Sequence, residues 1–241
     1  MGITIHFLPS LITLQSLFCN FFLYFWVIYL NKFSYNPFTF YREPFTLFNM
    51  NIAIIATSPR KNSNSLRFSN YLQKIAQTSG YEDITVVDFH HFDIPSVGRG
   101  TVNKDALTDF QSELITAWGN ADLVFFVTPE YNFTVNGDLL NALHQLGSKD
   151  FAHLFNNKVF AFAGVSSGRG GKNPCLDLTT VVNKIINFSN QYSVVSPRIF
   201  ESHETHKNLD ENADSVGNLI YDNGVKAFVD YSLEVTKRWA V

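Results

Sequence analysis

Leu123-Val124-Phe125-Phe126-Val127, running without a break into Thr128-Pro129-Glu130-Tyr131-Asn132, is the stretch on which the reading of this chain turns. A continuous apolar run rich in β-branched and aromatic residues predicts a central strand buried on both faces. The five residues after it then lie at the strand's carboxyl edge, where open α/β sheets bind their ligands. Proline stiffens the turn, Glu130 and Asn132 add polar groups, and Tyr131 offers a flat face with a hydroxyl. Such a set suits a planar heteroaromatic ring better than a metal or a polyanion. Taken alone, the loop also admits the reading of an ordinary strand-to-helix turn.

Two more segments stand at equivalent places. Ile52-Ala53-Ile54-Ile55-Ala56 is followed by Thr57-Ser58-Pro59-Arg60-Lys61-Asn62-Ser63-Asn64-Ser65 and then by Phe68, Leu72, Ile75 and Ala76 at helical spacing. Hydroxyls, short amides and basic residues at a helix N-terminus have the chemistry of a phosphate loop, because unpaired N–H groups and the positive end of the dipole favour an anion. A helix cap alone explains any one of these residues but not their density. Val159-Phe160-Ala161-Phe162-Ala163 leads into Gly164-Val165-Ser166-Ser167-Gly168-Arg169-Gly170-Gly171, whose glycines let backbone approach a ligand. A helix comes next, with Leu178, Val181, Val182, Ile185 and Ile186 along one face.

Between these segments, Ile84–Asp88 reads as a strand, Leu107, Phe110, Leu114 and Trp118 as a buried helix face, and Tyr192–Val195 as a fifth strand. Five strands alternating with helices predict an α/β fold, a doubly wound five-stranded parallel sheet in the order 2-1-3-4-5 with helices on both faces. Glu201–Asp214 is expected to be a polar loop before a last helix carrying Val225, Phe228, Val229 and Leu233.

The loop Ser58–Ser65, the Thr-Pro-Glu-Tyr-Asn segment with Gly137, Leu139, Asn141 and Ala142 beyond it, and the Ser-Ser-Gly-Arg-Gly-Gly loop together resemble the NAD(P)H-dependent FMN reductases, which include quinone, azo-dye and chromate reductases. The resemblance runs from about Met50 to Ser196 in consistent order. It implies a flavodoxin-like fold and FMN as cofactor. Ser58, Arg60, Ser63, Asn64 and Ser65 would hold the phosphate. Pro129, Glu130, Tyr131 and Asn132 would lie beside the ring, and Ser166, Ser167, Gly168 and Gly171 would close its other edge. NADPH or NADH would pass hydride to the flavin, and a quinone, azo compound, free flavin or similar acceptor would take two electrons, with no protein nucleophile needed. A homodimer or homotetramer is implied. The chain departs from the family where Thr57 replaces the usual glycine, Asn136 a proline, Leu140 a lysine and His144 an aspartate. The alternative from another class is a flavodoxin-like carrier of single electrons, for which a more acidic chain is expected.

Residues 50–241 suffice for one domain. They hold 16 Lys+Arg and 20 Asp+Glu, a mild acidity that points to neither nucleic acid nor an anionic membrane as partner. Two cysteines, Cys19 and Cys175, do not make a disulfide framework and fit a reducing, cytoplasmic setting; Cys175 reads as a buried bystander before a redox-sensitive thiol. Several motifs resolve into nothing. Gly168–Lys172 lacks the first glycine and the hydroxyl of a P-loop, and His203 and His206 have the wrong spacing for a helical zinc site, so no metal is expected. His90, His91 and Asp93 read as a solvated loop before a rim to the site. No Gly-x-Ser-x-Gly elbow occurs.

Residues 1–49 are set apart. Leu11–Leu30 carries no charge and is long enough to cross a bilayer, and Lys32 and Arg42 behind it would leave the flavin domain in the cytoplasm. No basic region precedes it and no small-residue cleavage site comes after it, against a signal peptide. Ten of the 24 phenylalanines lie in this segment and Met50 stands directly before the first strand, which favours an over-extended reading frame over an anchor. Protein beginning at Met50 should therefore fold, bind FMN and oxidise NAD(P)H at the rate of the full chain. Loss of far-UV structure or of flavin binding on that deletion would show that the segment packs on the sheet.

Overall fold

The computed structural model describes residues 49–239, so the apolar stretch 11–30 and its reading as an anchor lie outside the described residues. Strands that are apolar at every position need a layer on each face, since successive side chains alternate. β1 (Ile52–Ala56) sends Ala53 and Ile55 into one core and Ile52 and Ile54 into the other. β2 (Ile84–Asp88) and β3 (Leu123–Tyr131) pair with it in parallel, one on each side. β4 (Thr134–Val135) folds back on the end of β3 as an antiparallel hairpin, and β5 (Val159–Val165) runs parallel along β3. β6 (Val194–Val195) and β7 (Phe200–Ser202) both pair with β5. Leaving the hairpin aside, the parallel order is the expected 2-1-3-4-5, with the fifth place shared by two short strands.

Six α-helices among the described residues are, in chain order, α1 (Asn64–Thr78), α2 (Asp109–Asn120), α3 (Gly137–Leu146), α4 (Lys172–Phe188), α5 (Thr205–Asn208) and α6 (Leu219–Trp239). Phe110, Leu114 and Trp118 of α2, Leu143 of α3 and Leu178 of α4 cover Val124, Phe126, Phe160 and Phe162. Trp118 stands edge-on to Phe126 and Phe155, with ring centroids 5.0 Å apart in each case. On the other face Phe68 and Leu72 of α1 and Phe228 and Val229 of α6 cover Ile54, Leu123, Phe125 and Ala161. Each fully buried aromatic of this kind contributes roughly 1.5–3 kcal/mol of transfer free energy. Local chemistry starts the helices: Thr108 and Gln111 form a capping box on α2, and Ser63 Oγ accepts from Leu66 N at 3.0 Å on α1.

Three expectations need correction. The segment Thr128–Tyr131 is strand, not loop, in register with β5 as far as Pro129 opposite Val165. β1 has already ended at the level of Val127, so Pro129 has a sheet neighbour on one side only, where proline is tolerated. The fifth strand is interrupted, because Pro197 cannot donate to the ladder, and pairing resumes at Phe200. The stretch Glu201–Asp214 is accordingly not all loop: it contains the end of β7 and the single turn of α5.

At the amino end of the sheet Lys158 is 4% exposed, and its Nζ donates to the carbonyls of Gly119 at 2.7 Å and Ala121 at 2.8 Å, around the last turn of α2. Burial lowers its ammonium to about 8 from 10.5, against the opposing pull of Asp122. The unfolded chain thus holds this proton to higher pH than the folded one, so stability should rise between about pH 8 and pH 10.5. Tyr71, Cys175 and Tyr221, all pushed up by burial, act in the opposite sense, since the unfolded chain ionises them first. Lys158→Met isolates the lysine. The stability of the parent relative to this variant, measured by urea unfolding, should grow by about 2 kcal/mol from about pH 7 to about pH 10. A difference independent of pH would refute the buried-ammonium account.

Candidate functional site

β1 and β3 are neighbours, but the chain leaves them toward opposite faces, into α1 after β1 and into α3 after β3. This divergence opens a crevice at their carboxyl ends, the usual ligand position in such sheets. One side chain spans its floor. Asn136, 1% exposed, donates from Nδ2 to the Thr57 carbonyl at 2.7 Å, and its Oδ1 accepts from Thr57 Oγ1 at 3.2 Å and Thr128 Oγ1 at 3.1 Å. Thr57 and Asn136, two positions at which the chain departs from the family pattern, are therefore bonded to each other.

Above this floor lies a cleft of about 470 Å³ lined by Ser58, Arg60, Ser63, Asn64, Ser65, Pro129, Glu130, Tyr131, Asn132, Val165 and Ser167. The structure thus brings ten of the thirteen residues expected from the sequence into one cavity and adds Val165, the last residue of β5. Along the first loop, Ser58 and Ser65 are each 1% exposed. Ser65 Oγ is buried with no hydrogen-bond partner among the described residues, at the first turn of α1 where backbone N–H groups also lack intrahelical acceptors. An orphaned hydroxyl, a helix N-terminus and the Arg60 guanidinium on one wall fit a phosphate monoester. Opposite them, Tyr131 Oη lies 3.2 Å from Ser58 Oγ, and Arg60 stacks 4.7 Å above the Tyr131 ring centroid. A flat aromatic ring with an apolar floor of Pro129 and Val165 is thereby placed next to the anion wall.

Asn132 and Phe133 close the β3–β4 hairpin with φ of 48° and 65°, the left-handed pattern of a two-residue turn. Asp177 of α4 fixes the hairpin from below, accepting from Thr134 Oγ1 at 2.7 Å and Val135 N at 3.3 Å. Sequence reasoning misses both Asp177 and Asn136 as site residues, since an asparagine just before a helix looks like an ordinary cap and a lone aspartate within one looks like a solvated position.

Ser166, Gly168 and Gly171 lie outside the cleft lining. Ser166 Oγ accepts from Gly168 N at 3.1 Å, and Ser166 N donates to Ser202 O at 3.0 Å. Gly171, with φ of 112°, presses its backbone against Gly164, where a Cβ on either residue would collide with the other. Gly170 leaves room for the Glu130 carboxylate in the same way. His90 reaches the first loop, with Nδ1 3.4 Å from the Pro59 carbonyl, whereas Asp93 accepts from Gln111 Nε2. Cys175 is buried, and burial first, then Glu201, pushes its thiol up to about 12, which keeps it protonated and unreactive.

A family model described as NADPH-dependent FMN reductase matches residues 50–197. Among solved structures, FerB of Paracoccus denitrificans, described as a flavoenzyme NAD(P)H:(acceptor) oxidoreductase, superposes with a TM-score of 0.61 at 20% identity, over 78% of this chain and 98% of that one. RosB, solved with bound 8-demethyl-8-formylriboflavin-5'-phosphate, gives 0.54 at 13% identity, over 78% and 79% of the two chains. The apo form of the NADH:FMN oxidoreductase EMOB gives 0.53 at 18%, over 77% and 89%. These structural likenesses establish the doubly wound, flavodoxin-like fold, and the family match covers all three loops that line the cleft. The chain belongs to the NADPH-dependent FMN reductase family, with FMN as its flavin and NAD(P)H as the electron donor.

Proposed function

We propose that the protein is an FMN-dependent oxidoreductase that passes electrons from reduced nicotinamide to a small planar acceptor such as a quinone, an azo compound or a free flavin. Bound FMN would supply the chemistry, taking hydride from the nicotinamide and giving up two electrons to the acceptor. The observation that carries the reading is the pairing, in one cleft, of an anion wall containing the orphaned Ser65 hydroxyl with an aromatic and apolar wall whose Tyr131 hydroxyl comes within 3.2 Å of Ser58.

Place in the cleft sets each residue's contribution. Arg60 neutralises the phosphate, and Ser58, Ser63, Asn64 and Ser65 supply donors around it. Pro129, Tyr131 and Val165 form a dry floor that excludes water from one side of the ring. Glu130, Asn132 and Ser167 offer polar groups at its edge, while Ser166, Gly168 and Gly171 shape the loop behind it.

Two outcomes are expected. Replacing Arg60, Ser63 and Ser65 together by alanine should weaken FMN binding by at least about a hundredfold, since charge-assisted bonds to an anion are worth roughly 1.5–3 kcal/mol each. The far-UV spectrum should stay native and the melting temperature fall slightly, through loss of the Ser63 cap. Under anaerobic conditions NADPH or NADH should bleach the FMN-loaded protein directly to the two-electron reduced form, and a quinone should restore its colour. A flavin that ignores both nucleotides and stops at the one-electron stage on chemical reduction would mark the protein as an electron carrier instead.

A further inference from the structure

Beside the flavin cleft lies a second groove, of about 570 Å³, that FMN binding leaves without a role. The two are separated by the third loop. Ser167 lines the cleft and Arg169, two residues on, lines the groove, a distance of at most about 7 Å along the chain. The loop is clamped from both sides: Gly170 packs against the carboxylate of Glu130 in the cleft, and Glu204 N in the groove wall donates to Gly168 O at 3.0 Å. Ser166 N adds a second such bond to Ser202 O at 3.0 Å. Glu204 holds a left-handed backbone, with φ of 45°, to make its bond, an unusual conformation for a residue other than glycine or asparagine. Cleft, ridge and groove thus form one fixed surface.

The groove combines an apolar wall with a polar rim of Glu201, His203, Glu204, Lys207, Asn208 and Asn218, and Arg169 stands at its edge. Phe200 and Tyr221 form its inner wall and Ile220, 88% exposed, its lip. Lys207 is paired with Glu204 at 2.6 Å, and His203 Nε2 lies 3.3 Å from the Glu201 carboxylate, a contact that balances charge only when the imidazole is protonated. Arg169 makes no hydrogen bond or ion pair among the described residues and feels Glu204 only at longer range, so its guanidinium is available at the edge nearest the cleft. An available guanidinium next to an exposed aliphatic and aromatic wall suits a ligand with a phosphate and a purine face.

We propose that this groove takes the adenosine-phosphate half of the reduced nicotinamide dinucleotide, with Arg169 as its anion contact and Ile220 against the purine, while the nicotinamide enters the flavin cleft across the Gly168–Gly170 ridge. The inference rests on the oxidoreductase reading, since it assigns the second half of the same donor. Binding, not turnover, is its test. Calorimetric titration of the FMN-loaded protein with NADP+ and with nicotinamide mononucleotide, which lacks the adenosine half, should give an NADP+ dissociation constant that rises about tenfold in Arg169→Ala, the loss of one charge-assisted contact. The constant for the mononucleotide should stay within about twofold. Ile220→Glu, at an exposed position where folding is insensitive, should weaken NADP+ selectively as well. Equal weakening of both ligands, unchanged NADP+ binding in both variants, or no measurable binding of NADP+ by the parent would each overturn the assignment. Selective NADP+ binding by a protein whose flavin NADPH does not reduce would leave the groove standing and overturn the oxidoreductase reading instead.

Discussion

The Asn136 carboxamide holds together the two chain segments from which everything at the sheet's carboxyl edge is built. Past Ala56 and Val127 the β1–β3 ladder is finished, and the chain has to turn to opposite faces there without leaving backbone polar groups dry and unpaired. Thr57 N still bonds to Val127 O at 2.9 Å, and Asn136 then takes up the Thr57 carbonyl and both threonine hydroxyls in one buried set. Each such bond contributes about 0.5–1.5 kcal/mol net, but removing one partner would strand the others at a cost of roughly 1–3 kcal/mol apiece. Asn136 occupies the N-cap position of α3 yet makes no capping bond; its side chain is committed across the crevice. Replacing either Thr57 or Asn136 alone would leave buried polar atoms of the other short of partners.

Below that crosspiece the sheet is dry and aromatic, and above it the surface is polar. The division originates in the strands themselves. β1, β3 and β5 are apolar without interruption until Ala56, Val127 and Val165, and in each case the next residues carry hydroxyls, amides or no side chain at all. β1 stops two residues short of the level to which β3 and β5 remain paired, Ala56 standing opposite Val127 and Pro129 opposite Val165, so the polar continuations of the three strands lie side by side across a step. The cleft lies over this step, and the aromatic packing around Trp118 and Phe126 holds the strands beneath it.

Much of this is legible in the linear chain because it depends on runs and their endings. The strands at 52, 84, 123 and 159 are long enough for apolar composition to declare them, and the buried faces of α1, α2, α4 and α6 obey helical spacing. The features that escape such a reading depend on pairing between distant residues. β7 is three residues long, lies behind a proline, and is a strand only because β5 extends far enough to meet it. Pro129 reads as a turn residue until it is seen that its missing N–H costs nothing beside the vacated edge past β1. Gly171 carries the signature of a ligand contact, but the backbone it approaches is that of Gly164. Glycine spacing marks where backbone must come close; only the fold says to what.

The hairpin tip shows how the same logic reaches the Tyr131 wall of the cleft. Asn132 and Phe133 both sit in the left-handed region, a conformation that costs an ordinary L-residue about 1–2 kcal/mol and asparagine less. Phe133 is 77% exposed, so no burial offsets that cost. The turn persists because its two stems are fixed independently: Pro129 is in register with Val165 on one side, and Asp177 takes the hydroxyl of Thr134 and the N–H of Val135 on the other. With both stems anchored, the two residues between them have no relaxed alternative, and Tyr131 is held where its hydroxyl meets Ser58 and its face meets Arg60. Strain at the tip is thus the counterpart of precision at the ring, and it is α4, a helix that starts in the third loop, that enforces it.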